Sequence, residues 1–221
     1  YRRMLAGDEA RLGPEHPEIA VDLGPLADAI ESLGRYAEAE PLRRRAVAVD
    51  EATAGPESAA TAQALGQLAS NLGWQAKHVE AEATARRMLA VSTKAFGDAH
   101  ADTGFAHNVL AMVLESAGKR GEAEGEFQRA IAILDKALGA DAGDTLDVEG
   151  NLADLYFDMD RLADAEVLHR RVLAGREATL GGDHPQTGAT LSALGGVLAA
   201  QGRNAEAEPL YRRALAIREA R

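Results

Sequence analysis

Gly34-Arg35-Tyr36-Ala37-Glu38-Ala39-Glu40-Pro41-Leu42 is the stretch that decides the fold, because its first seven residues return four times. The later copies are Ala76–Glu82, Gly118–Glu124, Asp160–Glu166 and Gly202–Glu208, each 42 residues after the last, with no insertion or deletion. A repeat of this length points to a helical solenoid, in which each unit packs only on its neighbours.

Working outward from Gly34, each repeat predicts two amphipathic helices. Gly13-Pro14-Glu15-His16-Pro17 has turn composition, and Pro17 suits a helix start because its missing N–H is not needed there. Helix A of the first repeat is predicted over 17–33, with Leu23, Leu26 and Ile30 on one face. Gly34 ends it by accepting the left-handed conformation. Helix B follows over 36–53, burying Ala39, Leu42, Ala46 and Val49. Pro25 should kink helix A or delay its start. The repeats span about 17–54, 59–96, 101–138, 143–180 and 185–221, after a partial helix B at 1–12. All of residues 1–221 form one array on this reading, and its mid-repeat ends suggest a piece of a longer protein.

Aligned repeats show what packing demands. One column reads Leu26, Leu68, Leu110, Leu152, Leu194. Two others hold only tiny side chains: Ala27, Ala69, Ala111, Ala153, Gly195, and Ala39, Ala81, Ala123, Ala165, Ala207. Small residues let helices A and B approach closely while leucines fill the groove between them. The composition agrees, with 46% apolar but only 4% aromatic residues.

The small-residue columns, the leucine column and an aromatic column of Tyr1, Phe127 and Tyr211 resemble the tetratricopeptide repeat. The 42-residue period, the turn Leu180-Gly181-Gly182-Asp183-His184-Pro185 and the run Ala207–Ile217 resemble its kinesin-light-chain type. The resemblance implies an all-α, right-handed superhelix (an α-solenoid) with A helices lining a concave groove and B helices outside. The family often carries Leu-Asn-Asn-Leu-Ala on helix A, whose asparagines hold a peptide backbone. Only Asn108 and Asn151 match it here. The basic groove residues with which such arrays hold acidic peptides are absent.

Charge is unevenly placed. The A-helix stretches carry eleven carboxylates and no lysine or arginine, which equals the whole net charge of −11. A groove of one sign favours basic partners, and the acidic balance argues against nucleic acid and anionic membrane. Asp147, Asn151, Asp154 and Asp158 share one face of the fourth A helix at i, i+4, i+7, i+11 spacing. They are candidates for holding a basic segment, with a divalent cation as a lesser reading. Trp74, Phe105 and Met112 are candidates for an apolar strip beside the acidic one, Glu115 for attracting the same basic segment, and Asn108 and Asn151 for bonding its backbone. Gly24, Gly66 and Gly150 form a groove-side column that admits a ligand backbone or relieves crowding. His16, His100 and His184 recur too far apart to share a metal and are turn residues.

Without cysteine there is neither a disulfide nor a thiolate metal site, and no phosphate-loop, zinc-protease or nucleophile-elbow motif occurs. The expectation is a cytoplasmic, non-enzymatic scaffold without cofactor, holding a basic or neutral peptide or protein segment in its groove. A second expectation is a regulatory or oligomerising array in a larger signalling protein, associating through its ends.

Overall fold

The computed structural model describes residues 2–220; Tyr1, which heads the aromatic column, and Arg221 lie outside the described residues. The helices in chain order are α1 (Arg2–Leu12), α2 (Pro17–Glu31), α3 (Tyr36–Thr53), α4 (Ala59–Trp74), α5 (His78–Phe96), α6 (Ala101–Ser116), α7 (Arg120–Leu138), α8 (Gly143–Asp158), α9 (Leu162–Leu180), α10 (Pro185–Ala200) and α11 (Asn204–Glu219), with α2 packed on α3, α4 on α5, α8 on α9 and α10 on α11. No strand occurs among the described residues. The chain divides into two compact units, Tyr1–Ala123 and Glu124–Arg221, and each is described by itself.

In the first unit, Ile19, Leu23, Leu26, Ala27 and Ile30 of α2 pack on Ala39 and Ala46 of α3, with Leu5 of α1 joining them. In the second, Leu191 of α10 packs with Ala214 and Ile217 of α11, and Leu194 and Leu198 pack with Ala207. The leucine column and both small-residue columns are buried throughout. Burial of each leucine contributes roughly 1.5–3 kcal/mol. At Gly195 the space is taken by the Tyr211 ring, which a Cβ would meet at 3.0 Å. Pro25 does not delay the first A helix, because α2 runs from Pro17 straight through it.

Two backbone devices repeat in register. The turn within each pair needs a left-handed residue, and Gly34, Gly118 and Gly202 supply it at φ +73°, +76° and +78°. Ala76 and Asp160 take the same conformation at +56° and +59°, where a Cβ is strained. The turn between pairs passes through Gly55, Gly97, Gly139 and Gly181, also at positive φ. Each of these carbonyls accepts the hydroxyl of a buried threonine six residues on: Thr61 at 2.8 Å, Thr103 at 2.7 Å, Thr145 at 3.0 Å and Thr187 at 2.9 Å. Ile19 occupies that position in the first repeat and is fully buried.

An ion ladder ties successive repeats within each unit. The first-unit rungs are Glu40–Lys77 at 2.6 Å and Glu82–Lys119 at 2.8 Å; the second-unit rungs are Glu124–Arg161 at 2.9 Å and Glu166–Arg203 at 2.7 Å. Lys77, aided by Gln75 and Arg44, holds the Glu40 carboxyl down to about 2 against the opposing effect of burial. Lys119 lowers Glu82 in the same way.

A carboxyl lowered on folding contributes stability that is complete above its unfolded value, near about 4.3. That contribution is lost as pH falls toward the folded value. Lys77→Met should therefore flatten the loss of stability between about pH 4.5 and pH 2, measured by urea unfolding across that range. Ala76→Gly should raise stability by about 0.5–1 kcal/mol at neutral pH in the same assay, since relief of left-handed strain outweighs the added chain entropy.

Candidate functional site

The A-helix face of the first unit carries a seam between α4 and α6. On α6, Phe105, Val109, Met112 and Ser116 follow i, i+4, i+7, i+11 spacing and share one stripe. The facing stripe of α4 is Gln63, Gly66, Ser70 and Gly73, which is mostly small. Bulky residues opposite small ones leave hollows. One, of about 280 Å³, is lined by Ser70, Gly73, Trp74, Val109, Met112, Val113, Glu115 and Ser116. A second, of about 760 Å³, is walled by Gly66, Met88, Phe96, Phe105 and Val109, with Asp102, Gln67 and the Glu31–Arg43 pair at its polar edge. Ser70 and Val109 line both, so the hollows adjoin.

Trp74 stands 67% exposed at the end of α4, and Met112 is 43% exposed on α6. The indole stacks on Tyr36 of α3, with centroids 5.9 Å apart and rings 14° from parallel, which holds a large apolar surface in a fixed pose. The Asn108 amide donates to the Met112 sulfur at 3.8 Å. Of the residues singled out from sequence in this unit, Trp74, Met112 and Glu115 thus share the smaller hollow, Phe105 lines the larger, and Asn108 braces Met112. In the glycine column Gly24 is open, whereas a Cβ at Gly66 would lie 2.8 Å from the Met88 methyl, so Met88 fills that place.

Several carboxylates of the A helices already hold partners. Arg43 of α3 is 3% exposed and binds both Asp28 at 2.5 Å and Glu31 at 2.6 Å on α2. It also donates to Gln67 of α4 at 2.9 Å. Glu31 further accepts from the buried Asn71 amide at 2.7 Å. Arg11 of α1 reaches Glu18 at 3.2 Å, and His100 lies 3.1 Å from Asp102.

The second unit repeats the theme on α8. Asp147 is bound by Arg176 of α9. Asp154 faces the buried His169 at 3.3 Å. Asp158 is exposed and Asn151 is half-buried. Glu149 stands where three other repeats have leucine, Leu23, Leu65 and Leu191, and burial raises its carboxyl, opposed by Arg171 at 4.0 Å. Among the described residues no three acidic or histidine side chains converge as a bound metal would require. The four α8 residues share a face, but two of the three carboxylates already hold a cationic or ionisable partner.

Two features of this arrangement escaped sequence reading. Arg43 and His169 belong to the column read as aromatic from Tyr1, Phe127 and Tyr211. Their carboxylate partners Asp28 and Asp154 are also equivalent, 15 residues earlier. The signal was a covariation between columns: cation with carboxylate, or Tyr211 with Gly196, whose Cβ would lie 3.6 Å from the Tyr211 hydroxyl. The hollow-lining residues Ser70, Gly73 and Val109 have no such signal.

The family model described as Tetratricopeptide repeat matches residues 18–87, 61–136 and 144–220. The chain belongs to the tetratricopeptide repeat family. Among solved structures it is similar to the nearly identical TPR-like repeats assigned to a kinesin light chain of Podosopora anserina. Identity is 24% over 92% of this chain and 96% of that one, with a TM-score of 0.75. It is also similar to BtubC (BKLC) from P. vanneervenii, at 25% identity over 99% and 85% of the two chains and a TM-score of 0.78. MamA shares the fold at 15% identity over 90% and 92%, with a TM-score of 0.56. No curated protein matches. These likenesses place the chain among kinesin-light-chain-like solenoids, and membership makes it a protein-interaction scaffold. Among the described residues no helix is long and apolar enough to cross a membrane.

Proposed function

We propose that this scaffold binds a protein or peptide segment on the α4–α6 seam of its first unit, through apolar side chains of the partner. The observation that carries the reading is the pairing of an exposed Trp74, the chain's single tryptophan, with Met112 over an apolar hollow of about 280 Å³. Exposed aromatic and methionine side chains beside a pocket are the usual anchors of protein contacts. The adjoining hollow, with Phe105 and Val109, takes a second apolar residue of the same segment.

Charge plays a supporting part. Asp102 and Glu115 at the seam favour a basic or neutral segment over an acidic one. On α8 a basic side chain has Asp158, whereas Asp147 and Asp154 are engaged by Arg176 and His169. Asn151 lies on that face, and on the seam the Asn108 amide braces Met112. A cysteine-free sequence fits a reducing, cytoplasmic setting. No catalytic step and no cofactor enters this reading.

The test is selection of 12-residue peptides by phage display on the wild-type chain, followed by titration with the labelled peptide. Trp74→Ala should weaken binding at least tenfold, as loss of an aromatic anchor does. An Asp147→Asn, Asp154→Asn, Asp158→Asn variant should bind within about twofold of wild type. Retention by Trp74→Ala with loss in the triple variant would move the site to α8. Concentration-dependent sedimentation without peptide would favour association through the ends of the array.

A further inference from the structure

One B-helix position packs a leucine onto the A-helix leucines. In the first repeat it is Leu42, which packs against the cluster holding Leu5, Leu23 and Leu26. In the fifth it is Leu210, packed with Leu173 against the clusters of Leu191 and Leu194. The second repeat has Thr84 at this position. Threonine is shorter, and its hydroxyl is turned back to the Glu80 carbonyl at 2.8 Å. A hollow of about 360 Å³ remains, lined by Val47 and Ala48 of α3, Leu65 and Leu68 of α4, and Ala83 and Thr84 of α5. Val47, Leu65 and Leu68 are the counterparts of Leu5, Leu23 and Leu26. The space is therefore the one that Leu42 fills a repeat earlier. It faces away from the α4–α6 seam, because Leu65 and Leu68 lie on the opposite side of α4 from Gln63, Gly66 and Ser70. Its volume is at the small end of ligand pockets, which run from about 300 to about 1,000 Å³.

Two ion pairs stand at the mouth. Arg44 of α3 meets Glu80 of α5 at 2.6 Å, and Arg87 of α5 meets Glu51 of α3. All four side chains are at least a third open to solvent or close to it, at 45%, 47%, 48% and 31%. Exposed pairs of this kind are held weakly, so a ligand can take over either partner with little loss. Arg44 is also tied to Glu40 at 3.0 Å, whereas among the described residues Arg87 has Glu51 alone. The mouth thus sets equal numbers of positive and negative groups over an apolar floor. A simple carboxylate would face Glu51 and Glu80, and a simple amine would face Arg44 and Arg87. A molecule with both charges side by side meets a partner for each.

We propose that this hollow between α3 and α5 is a second binding site, for a small zwitterion with a branched aliphatic side chain, of the class of free leucine. The aliphatic group replaces the leucine side chain missing at Thr84. The ligand's carboxylate accepts from Arg87, and its ammonium group donates to Glu51.

The experiment is titration of L-leucine into the full chain, followed by NMR at the Ala83 and Thr84 amides. Wild type should show saturable shifts with a Kd of about 1 mM, as suits so small a ligand. Thr84→Leu, which refills the hollow as Leu42 does, should weaken binding by at least about tenfold. Arg87→Gln, which leaves the apolar floor intact, should weaken it about fivefold through loss of a charge-assisted bond. Isocaproate, without the ammonium group, and isopentylamine, without the carboxylate, should each bind about fivefold less tightly than leucine. Absence of saturable shifts in wild type up to about 20 mM leucine would overturn the proposal. Unchanged affinity in Thr84→Leu or in Arg87→Gln would overturn it too, as would isocaproate binding as tightly as leucine.

Discussion

Close contact between helices A and B is the constraint on which the rest of this structure depends. Ala27, Ala69, Ala111 and Ala153 on one side, and Ala39, Ala81 and Ala165 on the other, have no solvent exposure. With nothing larger than a methyl group at the crossing, the two backbones approach closely. Side chains beside the crossing then reach across it. Arg43 and His169 stand on B helices yet finish among A-helix carboxylates, and Tyr211 reaches the space left by Gly195.

This reach changes the electrostatic character of the A-helix face. Counted by helix, every basic residue lies on B helices or turns, and the A helices look uniformly acidic. Counted by contact, Asp28 and Glu31 share a buried guanidinium, Asp147 holds another, and Asp154 meets an imidazole. The two guanidinium groups offset part of that negative charge at short range, and salt screens what remains. Exposed apolar surface at Trp74 and Met112 is left as the more distinctive feature of the first unit. A carboxylate already satisfied inside the fold has less to offer a ligand than an indole held open by stacking on Tyr36.

Much of the fold was legible because it rests on local rules that repeat. Helix α3 spans Tyr36–Thr53 as its pattern predicts, and α2 stops only two residues before the predicted end, at Glu31. Gly34 ends it through positive φ, as its residue type requires. The turn threonines escaped the sequence reading, because they carry no obvious chemistry until the carbonyls of Gly55, Gly97, Gly139 and Gly181 are seen to need them. The candidate site was less legible, because helical periodicity assigns a face but not the neighbour across the seam. Gly66 and Gly73 look alike in sequence, yet Met88 fills the first while the second borders open space. Asp147 and Asp158 also look alike, and only the α9 side chain opposite distinguishes them.

The salt dependence of peptide affinity tests the central claim most directly. A peptide selected on this chain would be titrated from 50 to 500 mM sodium chloride, with Trp74 fluorescence as the readout. An apolar seam beside internally paired carboxylates predicts a blue-shifted, quenched or enhanced Trp74 signal on binding and an affinity that changes by less than about threefold over that range. An affinity that falls by tenfold or more, with Trp74 emission unmoved, would contradict the account and return the binding to the carboxylates.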